Sequence, residues 1–110
     1  MISEQKYIQL CDEFIQCLDE SRFYDAHEVL EEIWFPRRFE DNNEIKLLKG
    51  FINASVSFEL AKKGRKEASK KVWKNYLKYI KLLKQLDSKY IINYKQIAEK
   101  IESVRVKIMI

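Results

Sequence analysis

Apolar residues recur along this chain at intervals of three and four, the spacing of one face of an α-helix. Tyr7, Cys11, Phe14 and Leu18 make the first such stripe. They predict a helix from about Ser3, an N-cap with acidic Glu4 behind it, to about Glu20. Ser21 reads as the N-cap of a second helix, with Phe23, Ala26, Leu30, Ile33 and Trp34 on its buried face. Pro36 stops that helix, because proline disfavours helical geometry in the residue before it. A polar loop from Arg37 to Asn43 leads into a third helix, about Asn43 to Lys63, with Ile45, Leu48, Phe51, Ile52, Ser55, Val56 and Glu59 on one face. Gly50 inside it costs about 1 kcal/mol relative to alanine, which predicts that another backbone or side chain approaches closely there. Gly64 is a natural stop. The fourth helix, about Arg65 to Leu86, should bury Ala68, Val72, Tyr76, Tyr79, Ile80 and Leu83 and expose lysines. The fifth carries Tyr90, Tyr94, Ile97, Ile101, Val104 and Ile108 at a period of about 3.5, which suits antiparallel packing or a helix–helix interface.

All 110 residues therefore read as one all-α domain, a compact antiparallel bundle of about five helices. Two glycines and one proline leave little turn chemistry for the tight corners of a sheet protein, and 46% hydrophobic residues suffice for a core. The longest apolar runs, such as Ile33-Trp34-Phe35-Pro36, are far short of the roughly 20 residues that span a bilayer. The segment from Met1 to Lys6 has neither a basic leader nor an apolar core, so a cytoplasmic location away from membranes is expected. Cys11 and Cys17 belong to no CxxC pair and are expected to be reduced core thiols.

The net charge of +4 hides an asymmetry: residues 1–44 hold twelve acidic against four basic side chains, and residues 45–110 seventeen basic against five acidic. Lys70, Lys74, Lys78 and Lys81 form a basic ridge on the fourth helix, with Lys62, Lys63, Arg65, Lys66, Lys71 and Lys84 close by. Such a ridge is most simply a solvated face. It is also an anion-binding candidate for nucleic acid or an acidic protein, through contacts that salt would weaken. Tyr76 and Tyr79 fall on the core stripe and not beside the ridge, so base stacking is not indicated. Self-association through the fifth helix is a further expectation, from its regular seam, the apolar end Ile108-Met109-Ile110 and the oppositely charged halves.

The chemically suggestive segment is Ala26-His27-Glu28-Val29-Leu30-Glu31-Glu32. His27 and Glu31 are four residues apart on the second helix, close enough to share a hydrogen bond or a ligand. The helical wheel sets His27 beside the apolar stripe, Glu31 at its edge, and Glu28 and Glu32 towards water. An imidazole and a carboxylate at this spacing could bind a divalent metal or act as an oriented general base. The segment is not the HExxH of zinc proteases, since Glu31 stands where the second histidine would be and the chain has one histidine. Glu59 shares a stripe with Ile52, Ser55 and Val56 and needs a partner there. His27, a lysine, Tyr76, Tyr79 or a metal shared with Glu31 are the candidates, and His27, Glu31 and Glu59 form the candidate catalytic set.

The stretch from Phe23 to Trp34 also resembles the signature of a bacterial and archaeal family of unknown function, numbered 309. That signature has an aromatic residue, Ala-His-Glu, then a glutamate and a tryptophan at this spacing. A helix with a Gln-Gly-Leu-Ile-Gln-like stretch follows, represented here by Lys49-Gly50-Phe51-Ile52-Asn53, with Gly64 closing it. The resemblance covers roughly residues 10 to 85. It implies an all-helical fold and carries over to His27, Glu28, Glu31, Trp34 and Gly50, with Asn53 in place of the usual glutamine. Members are often labelled predicted metal-dependent hydrolases, which implies a metal on His27, Glu28 and Glu31. The family's late histidine is absent, with Glu59-Leu60 at its position, so a metal site would rest on His27 and carboxylates. Three readings follow: a binding, regulatory or structural helical protein, a metal-dependent hydrolase, and a binder of nucleic acid or an acidic partner.

Overall fold

Ser3 opens the first helix as expected: its hydroxyl accepts the Lys6 amide at 3.1 Å, and α1 runs Glu4–Asp19. The structure is a computed structural model and describes residues 2–108. In it α2 spans Phe23–Trp34, α3 Asn43–Lys62, α4 Lys66–Ile80 and α5 Ile91–Ile108, with 3-10 turns at Phe35–Arg37 and Lys81–Gln85. The described residues thus form an all-α bundle of five helices without a strand.

Ser21 is a correction. It does not cap α2, which begins at Arg22 without a side-chain cap. Instead it closes α1 in the left-handed conformation, with φ 58°. Its amide donates to the Leu18 carbonyl at 3.1 Å, and the Arg22 amide reaches the Cys17 carbonyl at 2.8 Å. Gly64 closes α3 in the same way, with φ 79° and matching bonds from Gly64 to Ala61 and from Arg65 to Leu60. Glycine adopts this geometry freely, whereas a residue with a Cβ gives up roughly 1–2 kcal/mol. Pro36 ends α2 as expected and lies in the 3-10 turn after Trp34. Asn42 caps α3, its side-chain oxygen accepting the Ile45 amide at 2.9 Å.

The third helix is the axle of the bundle. Leu47, Ala54, Ser57 and Phe58 are buried along with Ile45, Leu48, Phe51, Ile52 and Ser55 of the expected stripe, while Val56 and Glu59 are half-buried, because α2, α4 and α5 all pack on α3 while α1 bridges α2 and α5. A helix covered on three sides has no single apolar face to read. The close approach expected at Gly50 is present: a Cβ there would stand 2.7 Å from the Cβ of Tyr79 on α4. Seven residues along the same seam, Ser57 and Ser69 face each other, each hydroxyl donating to the other's carbonyl at 2.8 Å. Trp73 joins this side of the core, 5.7 Å from the Phe58 ring and 4.7 Å from Tyr76.

The seam of α5 is used inside the chain: Tyr94, Ile97, Ile101 and Val104 are buried, and α5 packs against α1 and α3. Of the apolar end, Ile108 is half-buried, and Met109 and Ile110 lie outside the described residues. No helix among the described residues is long and apolar enough to cross a membrane.

Cys11 and Cys17 are free and buried. Burial raises both thiols, Cys11 to about 12. Burial is also the first cause raising the hydroxyls of Tyr7, Tyr76 and Tyr94. Each group keeps its proton in the folded chain at a pH where the unfolded chain has released it. Stability from these groups is therefore whole below the ordinary values of 9.0 and 10.0, and is lost as pH rises past them. Chemical denaturation at stepped pH should show stability falling from about pH 9, with a slope growing to several times the ~1.4 kcal/mol per pH unit of one group. An unchanged midpoint at about pH 11 would contradict this burial of the tyrosines.

Candidate functional site

Helix α2 is two-faced. Phe23, Ala26, Leu30 and Ile33 are buried against α1 and α3, which turns Tyr24, His27, Glu28, Glu31 and Glu32 to the outside. His27 Nε2 lies 2.6 Å from Glu31 Oε1, and the two side chains are 28% and 33% exposed. The Tyr24 ring meets the imidazole edge-on, with centroids 5.8 Å apart. Nε2 is occupied by Glu31, which leaves Nδ1 as the ring's other hydrogen-bonding position. Glu28 and Glu32 are exposed on the same outer face, as the wheel placed them.

Glu59 finds its partner on its own helix: Lys63 Nζ lies 3.5 Å from its carboxylate. The register of α2 on α3 explains why it stays apart from His27. The Phe23 ring lies 5.5 Å from that of Phe58, and Lys62 Nζ donates to the Ser21 carbonyl at 3.1 Å. Those contacts set the last turns of α3 beside the start of α2, whereas His27 is a full turn further on. Among the described residues no three His, Cys, Asp or Glu side chains come close enough together to hold a metal ion. A catalytic zinc takes three protein ligands. His27 and Glu31 supply two, with Glu28 exposed round the helix, so the donor set does not fit a resident metal.

The other signature residues serve different contacts. Gly50 meets Tyr79 on α4. Asn53 donates to the Lys49 carbonyl at 2.8 Å. Trp34 is half-buried against the core and lies edge-on to Phe35 at 6.5 Å. Lys70, Lys74, Lys78 and Lys81 are all exposed and form the expected ridge, with Lys70 approaching Glu67 at 3.9 Å and Lys78 Nζ lying 5.3 Å from the Tyr79 ring centre.

The polar feature that sequence reasoning missed joins α1, the start of α3 and α5. Tyr94 donates to Glu44 Oε2 at 2.5 Å, Ser88 donates to the same oxygen at 2.6 Å, and the Tyr7 and Tyr94 hydroxyls are 2.5 Å apart. Since Tyr94 spends its one proton on Glu44, Tyr7 must donate to Tyr94. The Tyr7 ring stacks on Tyr90 at 3.8 Å, and a cavity of about 530 Å³ opens beside it, lined by Ile2, Ile33, Pro36, Arg37 and Glu40. The one available signal was tyrosine at two positions of otherwise apolar stripes, since a buried phenol needs a hydrogen-bond partner.

No curated protein and no solved structure matches the chain. The model of one family does match, over residues 11–72, a stretch that holds the whole of α2 and α3 with His27, Glu31, Trp34 and Gly50. More than half of the chain is thus covered, and it belongs to the family described as a domain of unknown function, DUF309.

Proposed function

We propose that this chain is a binding protein without catalysis of its own, and that the outward face of α2 is the surface its partner touches. The observation that carries the reading is the His27–Glu31 pair at 2.6 Å on an outer helix face, beside exposed Tyr24 and, among the described residues, outside any group of three potential metal ligands. An imidazole held by its Nε2 beside an aromatic neighbour is a recognition element, since interfaces favour aromatic side chains with a few placed polar groups. The hydrolase reading draws on the family label and needs a third metal ligand that the described residues do not bring to His27. The basic ridge on α4 supports contact with an anionic surface, as a second site of binding.

The test is metal content together with stability. Protein incubated with zinc, manganese or nickel and then desalted is expected to retain no stoichiometric metal. His27→Ala should fold with a loss of no more than about 0.5 kcal/mol, the worth of a half-exposed i,i+4 pair. One metal per chain, lost in both His27→Ala and Glu31→Ala, would overturn the reading in favour of metal chemistry.

A further inference from the structure

Two helices of this bundle are each charged with one sign. Helix α2 carries Asp25, Glu28, Glu31 and Glu32 and no lysine or arginine. Helix α4 carries Lys66, Lys70, Lys71, Lys74 and Lys78 against Glu67, and the 3-10 turn after it adds Lys81 and Lys84. Successive lysines at 66, 70, 74 and 78 are all i,i+4 neighbours, as are Glu28 and Glu32, and like charges at that spacing repel. The helix dipoles make it worse, since Lys66 and Lys70 stand near the positive end of α4, and Glu31 and Glu32 near the negative end of α2. Lys70 with Glu67 at 3.9 Å, and Asp25 with Arg22 at the N-cap of α2 at 3.0 Å, are the ion pairs these faces make locally, which leaves Glu28 and Glu32 on one and Lys66, Lys71, Lys74 and Lys78 on the other in excess.

Each face also exposes apolar anchors. On the α2 side these are Tyr24 and Phe35, followed by Phe39, which is 87% exposed, with the Arg38 guanidinium 3.7 Å from the Phe35 ring centre and 4.4 Å from that of Phe39. On the α4 side Leu77 is 46% exposed, and the helical wheel sets it next to Lys70, Lys74 and Lys81. Exposed aromatics around a guanidinium are the composition of interface centres, and charged rims of opposite sign set register and encounter rate.

We infer that the acidic, aromatic face of α2 docks on the lysine face of α4 in a second copy of the chain. This rests on the reading of α2 as the binding face and names its partner. The complementarity is between two different patches, which flank α3 separately, so the contact is head-to-tail and extends beyond a pair of chains unless a ring closes.

Sedimentation of the full chain over a concentration series tests this. Near 0.01 M salt, where charges act over about 30 Å, the average mass should rise with concentration, and near 1 M, where they act over about 3 Å, it should return to that of one chain. Glu28→Gln with Glu32→Gln, and separately Lys74→Gln with Lys78→Gln, should each abolish the rise while leaving the circular dichroism unchanged, since all four side chains are exposed. Mixing the two variants should restore one contact, between the intact α4 of the first and the intact α2 of the second, and should stop at a two-chain species. Two outcomes overturn the inference: a wild-type chain that stays single at low salt, and a mixture that does not associate. A chain that stays single but binds an oligonucleotide through Lys74 and Lys78 would assign the α4 face to a polyanion instead. A metal bound at His27 with association intact would sink only the non-catalytic reading of α2.

Discussion

Gly50→Val is expected to lose about 3 kcal/mol of stability, near the upper end of what overpacking costs. Glycine is a poor helix former, so a side chain at position 50 would on propensity alone gain up to about 1 kcal/mol. The local gain loses to the tertiary contact, because the obstructing atom is the Cβ of Tyr79, 2.7 Å from where the new Cβ would be. A ring can rotate away, whereas a Cβ moves only with its backbone, so α3 and α4 would have to separate. The same reasoning predicts an informative pattern of rescue. Tyr79→Ala keeps the obstructing atom and should leave Gly50→Ala costly, while Tyr79→Gly removes it and should make Gly50→Ala favourable. Denaturant unfolding of the four combinations measures this coupling. A Gly50→Ala protein more stable than the wild type would show that the helices are not held at this distance.

Glu44→Ala should cost about 3 kcal/mol, since it strands the hydroxyls of both Tyr94 and Ser88, and hydrogen bonds to a charged group contribute about 1.5–3 kcal/mol each. The direction of the protons ranks the rest of the network. Tyr94→Phe removes the middle link and should cost about 2 kcal/mol, while Tyr7→Phe removes only the last donor and should cost about 1 kcal/mol. Thermal melts of the three variants would check the order. If Tyr7→Phe proved the most damaging, the chain of donors would have to run the other way.

What could be read before folding was what depends on near neighbours. The five helices follow from apolar spacing, the cap at Ser3 from a local bond, and the His27–Glu31 pair from a four-residue interval. Gly50 was informative because an unexplained glycine in a helix demands a close neighbour, although nothing local names Tyr79. Ser21 misled because a serine between two helices carries the same signal whether it caps the second or closes the first, and only the backbone bonds decide. For Glu59 the need for a partner was legible, with a lysine among the candidates, but only the half-buried placement of its carboxylate shows that the Lys63 ammonium one turn along is within reach. Glu44 gave no sign, since Ser88 and Tyr94 lie 44 and 50 residues away. The outward aromatic and charged face of α2 was half visible: the acids were in view, but the exposure of Phe35 and Phe39 depends on how the turn after Trp34 leaves the bundle.

The bond between Tyr7 and Tyr94 joins residues 87 positions apart. During synthesis α1 leaves the ribosome early with its apolar stripe formed, and the α5 surface that covers one side of it is made last among the described helices. At about 5–20 residues per second, the side of that stripe which α2 does not cover stays open for seconds on each new chain. The first helix therefore depends on the last described one for half of its shelter. Chains cut short before Tyr94 should be the form of this protein that chaperones hold and proteases remove.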